Sequence, residues 1–126
     1  NLLICLILTG PAAAQDALSG DAFESFVTGK TLGYSVGVNT PYGTERYMEN
    51  RQVIWTTIDG RCTTGFWYEN DTQICFRYED LEGDKCWHFF PQNEDLVGVF
   101  QEELGKAYRV RIIDDKDLFA CNKFTS

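Results

Sequence analysis

Hydrophobic and polar positions divide the chain into three textures. Leu2 to Leu8 is an unbroken apolar run, followed by Thr9-Gly10-Pro11 and the small residues Ala12-Ala13-Ala14. An apolar run closing on an A-x-A site is the pattern of a secretory signal peptide. Residues 1–14 are therefore expected to be a leader, and 15–126 one domain. The run is far shorter than the roughly 20 residues that span a bilayer. A lipid anchor on Cys5 fits poorly, because Ile4 is not small and Cys5 lies inside the run. The second texture is helical. Ala22, Phe23, Phe26 and Val27 share one face at helical spacing. Ser19 can cap the N-terminus, Asp21 suits the first turn, and Leu18 can staple to Phe23. Gly29 is a natural stop, so one short helix is predicted over 19–29.

The third texture, from Thr31 onward, alternates apolar and polar residues in short stretches rich in Tyr, Trp, Phe, Val, Ile and Thr. Strands are predicted near 31–38, 44–48, 51–58, 61–68, 72–79, 84–90, 96–102, 106–113 and 118–122. Turn residues separate them: Asp59-Gly60, Asn70-Asp71, the loop Asp80-Leu81-Glu82-Gly83, and Gly105. Short strands with turns at this spacing point to a barrel or sandwich.

Turn positions imply registers. A two-residue turn at Asp59-Gly60 sets Thr57 opposite Cys62 and Trp55 opposite Thr64. A turn at Asn70-Asp71 sets Trp67 opposite Ile74, and the following loop sets Phe76 opposite Trp87. Opposed residues share a face. One face then carries Ile54, Gly65, Trp67, Ile74, Phe76, Tyr78, Trp87 and Phe89, which reads as a core with Gly65 leaving room for a ring. The other carries Val53, Trp55, Cys62, Phe66, Tyr68, Cys75, Arg77, Cys86 and His88. It is half apolar, so the helix is expected to lie over part of it.

Beyond the leader the cysteines are Cys62, Cys75, Cys86 and Cys121. Their spacing lacks the close pairs of a zinc site, and cysteines in a small exported domain usually form disulfides. The register favours pairing Cys75 with Cys86, which leaves Cys62 for Cys121, while the other pairings stay open from sequence alone. The net charge of −8 should repel phosphate backbones and anionic membranes, which argues against nucleic acid as a partner.

Candidate chemistry is sparse. His88 is the one histidine, and a neighbouring Cys75 held in a disulfide cannot act with it as a nucleophile pair. No serine lies in a G-x-S-x-G context. The acidic group Glu79, Asp80, Glu82 and Asp84 lacks the spacing of a calcium loop and reads as a solvated hairpin tip. No cofactor or metal is expected. The aromatic content stands out: three Trp, six Tyr and nine Phe. Most of it should be core, but Trp55, Phe66 and Tyr68 on the second face are candidates for binding an apolar ligand or a protein partner.

The segments G-x-W-Y at 65–68, I-C-F-x-Y at 74–78 and C-W-x-F at 86–89, after W-x-x-x-D-G at 55–60, resemble a family of small exported bacterial proteins of unknown function. The resemblance covers roughly residues 31–122. It implies a secreted β-domain with paired cysteines and brings no catalytic residues. Similar proteins sometimes carry the name dihydrodipicolinate reductase, but the G-x-G-x-x-G turn of a dinucleotide-binding enzyme does not occur here.

The expectation is a mainly β fold: a small lipocalin-like antiparallel meander of about eight strands with one N-terminal helix. The leading function is a non-catalytic periplasmic or secreted module that binds a protein partner or a small apolar ligand. An envelope hydrolase using His88 and nearby acids, or an inhibitor of a secreted enzyme, are the alternatives.

Overall fold

The structure is a computed structural model that describes Gly10 and residues 15–113. A helix comes first, α1 (Gly20–Val27). Eight strands follow: β1 (Thr31–Val36), β2 (Thr40–Tyr47), β3 (Gln52–Thr57), β4 (Cys62–Asn70), β5 (Gln73–Tyr78), β6 (Lys85–Gln92), β7 (Asp95–Phe100) and β8 (Tyr108–Ile113). Each pairs antiparallel with the next, and β8 closes on β1 to complete a barrel. The expected antiparallel meander is present, and it closes into a barrel. The leader (1–14, Gly10 apart), the strand expected at 118–122 and Cys121 lie outside the described residues.

The β3–β4 hairpin corrects the expected register. Trp55 faces Thr63 and Thr56 faces Cys62, one residue away from the two-residue turn. The connection is a three-residue loop. Gly60 N–H donates to Thr57 O at 2.9 Å, and Thr57 N–H donates to Arg61 O at 2.9 Å. Gly60 then takes φ of +86°, the left-handed position that closes a type I turn with a bulge. Side chains favour this longer loop: Thr57 Oγ1 donates to Asp59, and Arg61 Nε donates to the same carboxylate at 3.0 Å. A one-residue change of register turns every side chain of a strand to the opposite face. Val53 and Trp55 therefore point into the barrel, where they join the core, and Ile54 points outward.

The next two registers differ from expectation by two residues, which preserves the faces. Trp67 sits opposite Phe76 because the turn is Asp71-Thr72, with Asp71 at φ of +54°. Ile74 sits opposite Trp87, and Cys75 directly opposite Cys86. That pair is a disulfide with its Cα atoms 4.0 Å apart, as the shared face required. Cys62 is also disulfide-bonded.

The helix departs from expectation as well. It does not cover the outer face; it plugs one end of the barrel. Ser19 caps it, its Oγ accepting from Ala22 N–H at 3.2 Å. Leu18 N–H donates to Phe89 O at 2.7 Å, and Gly29 N–H to Tyr47 O at 2.9 Å, so both ends are tied to strand rims. Between these ties Phe23 enters the barrel. It stacks on Phe89 at 4.6 Å and meets Trp67 and Tyr47 edge-on at 5.1 and 5.6 Å. On the rim, Arg51 donates from Nε to Glu24 at 2.9 Å and lies 4.4 Å over the Trp67 ring. The inner face that the helix meets was more apolar than the outer one, which explains the choice.

Candidate functional site

With α1 filling one end, the barrel is open at the other. There the end of β1, the start of β2, the ends of β3 and β5, the start of β6 and the 3-10 turn Gln101–Glu103 surround a cavity of about 300 Å³. Its walls are aromatic: Tyr34, Tyr42, Trp55, Phe76, Trp87 and Phe100. Tyr34 lies between the two tryptophans, 5.5 Å from each ring. A β-bulge in the β1–β2 pairing, where Tyr34 faces Gly43 and Ser35 faces Pro41, leaves Tyr42 unpaired. Bulges re-aim side chains in this way. The Tyr42 ring comes within 5.6 Å of Trp55 and 5.0 Å of Tyr108.

Gly43 makes the seat for Trp55. A Cβ on it would fall 2.4 Å from the indole and 2.8 Å from the Thr56 carbonyl. Gly43→Ala is expected to cost about 1–3 kcal/mol through overpacking and to shift the Trp55 ring; urea denaturation and near-UV circular dichroism would measure both.

Glu45 is the chemical feature of this cavity. It points inward from β2, directly opposite Trp55 on β3, and is 1% exposed. Tyr78 Oη donates to its Oε1 at 2.7 Å. Its Oε2 has no hydrogen-bond partner among the described residues. Burial raises the carboxyl well above its ordinary pKa, and the Tyr78 hydrogen bond offsets only part of that. Burial likewise raises Tyr34, Tyr47 and Tyr78, and the nearby Glu45 adds to each. Tyr34 and Tyr47 bond to each other through their hydroxyls at 2.5 Å. At the rim stand Lys85, Glu102 and Glu103. Lys85 Nζ is 3.9 Å from Glu102, and Tyr108 Oη donates to Glu103.

The three aromatic residues expected to form one patch are separated by the barrel wall. Trp55 lines the cavity, whereas Phe66 and Tyr68 sit outside on β4, 6.2 Å apart. Phe66 is 38% exposed. The Arg77 guanidinium lies 5.8 Å from its ring and 5.9 Å from the Tyr68 ring. Arg77 in turn holds Asp84 at 2.7 and 2.8 Å, and Tyr68 donates to the same carboxylate. Those bonds pull Asp84 down to about 2. Of the acids first grouped as a hairpin tip, Asp84 thus belongs to an Arg–Tyr cluster. His88 also lies outside the cavity lining, its Nε2 3.1 Å from Thr72 Oγ1. Among the described residues no three His, Cys, Asp or Glu side chains converge as a metal would need.

Sequence reasoning missed Glu45, Tyr34, Tyr42 and Phe100. The signal for Glu45 was present: Gly43, Glu45 and Tyr47 alternate along one face of a strand, so an acid occupies an inward position. Comparison with protein-family models, curated proteins and solved structures finds no match for this chain.

Proposed function

We propose that the chain is a non-catalytic binding module of the periplasm or the secreted fraction, which holds a small, largely apolar ligand in the barrel mouth. The carrying observation is the aromatic cavity of about 300 Å³, open at one end of a barrel whose other end is filled by Phe23 and its helix. Ligand sites are concave, mostly apolar, and carry a few placed polar groups; Glu45 and Tyr78 are such groups here. The Cys75–Cys86 disulfide suits an oxidising compartment. No helix among the described residues is long and apolar enough to cross a membrane. A ligand is favoured over a protein partner because Trp55 has left the outer patch, where Phe66 and Tyr68 are already engaged by Arg77. A hydrolase has less support, since His88 meets a threonine hydroxyl away from the cavity.

Indole NMR tests the reading, because the three tryptophans report on different places. Trp55 and Trp87 line the mouth, and Trp67 sits under the plug. Titration with the neutral probe N-phenyl-1-naphthylamine is expected to shift the Trp55 and Trp87 indole signals saturably and leave Trp67 in place. No shift up to the solubility of the probe, or a shift confined to Trp67, would overturn it.

A further inference from the structure

Among the residues that line the cavity, Glu45 has a polar atom that the described residues do not satisfy. Glu45 Oε2 is buried and has no hydrogen-bond partner among the described residues, while Oε1 is held by Tyr78. Buried polar groups in folded proteins are nearly always paired, so an exception at a cavity wall calls for an occupant. Three observations bear on its chemistry. An acceptor oxygen of a carboxylate takes an N–H or O–H donor. The rings around it, Tyr34, Trp55 and Trp87, offer π faces, and tryptophan is the best of the aromatic residues for a cation. The two acids at the mouth already have basic neighbours, Glu102 with Lys85 at 3.9 Å and Glu103 with Lys106 at 3.6 Å, so Glu45 is the acid left for a ligand to meet.

We infer that the ligand carries a primary or secondary ammonium group on a small apolar body, and that this ammonium donates to Glu45 Oε2 between the aromatic walls. The inference rests on the mouth being a binding site. A quaternary ammonium would satisfy the rings but has no N–H to give the oxygen. A carboxylate or phosphate would bring a second acid against Glu45 and offer its Oε2 no donor. The volume, about that of ten waters at ~30 Å³ each, fits a small amine with an aromatic or short aliphatic body.

Binding should be linked to protons. In the empty site burial favours the neutral carboxyl. Entry of the ammonium then releases one proton from Glu45 to the buffer and leaves a carboxylate–ammonium pair. The ionisable groups facing Glu45 are Tyr34 from β1, Tyr47 and Tyr42 from β2, Tyr78 from β5, Lys85 from β6, and Glu102 and Glu103 from the 3-10 turn. The tyrosines are held neutral by raised pKa values, so Glu45 carries the linkage.

Three probes of similar shape test this by calorimetry on the folded chain: phenethylammonium, the neutral 2-phenylethanol and the anionic 3-phenylpropionate. The cation is expected to bind at least tenfold tighter than the alcohol at pH 8. Its affinity should fall on going to pH 5, and proton release should appear as a dependence of the measured heat on the buffer. Glu45→Gln should abolish the preference, whereas Tyr78→Phe, which keeps the carboxyl, should retain it. Equal or tighter binding of the alcohol, or a cation affinity independent of pH in the wild type, overturns the ammonium inference and leaves the mouth site standing. Binding of none of the three overturns both readings. A lysine-containing tripeptide amide binding as tightly as phenethylammonium would assign the site to a protein side chain and overturn the small-molecule source.

Discussion

Phe23→Ala is expected to lose roughly 3–5 kcal/mol of folding stability, the usual cost of deleting a buried Phe ring. The ring is fully buried and contacts Tyr47, Trp67, Phe76 and Phe89 from inside the barrel. The surrounding strands are fixed by closed hydrogen bonding, so they cannot collapse into the space left behind. The helix itself is only eight residues long, too short to persist without tertiary contacts. Loss of the ring should therefore release the plug as well. A domain of this size holds about 5–15 kcal/mol in total, so much of the margin would disappear. Guanidinium denaturation measures the loss, and Trp67 emission should move to longer wavelength as its edge-on partner is removed. Phe26→Ala, on a half-buried ring beside Lys30, should cost clearly less. A Phe23→Ala cost below about 1 kcal/mol would mean that the helix rests on the barrel without closing it.

The helix and the eight strands that fall within the described residues were legible because each depends on local pattern: a cap at Ser19, a 3.6-residue apolar stripe, and alternation broken by turn residues. What the helix would cover was not legible. Both faces of the sheet looked partly apolar, and only the three-dimensional closure of β8 on β1 shows that one face is inside a barrel with an end to fill. The face of Trp55 was misassigned through a single turn. Asp59-Gly60 suits a two-residue turn and equally a three-residue loop with Gly60 left-handed. The choice is made by Thr57 and Arg61 bonding across Asp59. That one extra residue moved Trp55 from the surface to the cavity, whereas the two-residue shifts at the later turns left every face intact. The Cys75–Cys86 pair was legible for the same reason: an even shift keeps two cysteines on one side of adjacent strands. Glu45 was passed over because its alternation partners are Gly43 and Tyr47, and a glycine weakens the apolar signal of the inward face.

Glu45→Gln is expected to change how stability depends on pH. Glu45 has its folded-state pKa raised by burial above the ordinary value of 4.5. Below pH 4.5 the carboxyl is protonated in both states and adds no dependence. Above it the unfolded chain releases the proton while the folded chain retains it, so rising pH favours unfolding. Wild-type stability should then fall by about 1.4 kcal/mol per pH unit for this group, until pH passes the folded pKa. Gln cannot titrate, and its Oε1 can still accept from Tyr78, so packing and the one existing hydrogen bond are kept. The difference between wild type and variant should be flat below pH 4.5 and widen above it, with Glu45→Gln the more stable protein at pH 8. Asp84, held low by Arg77 and Tyr68, contributes in the opposite sense: its stabilisation is present above its unfolded value of 3.8 and is lost as pH falls towards 2. It acts equally in both proteins and drops out of the difference. Urea melts of the two proteins from pH 4 to pH 8 decide the matter. Parallel curves would mean that Glu45 ionises freely in the folded state and is hydrated inside the mouth. A gap that opens with pH would mean that the empty cavity holds a neutral acid, and that a donor or cation entering it alters the ionisation of Glu45.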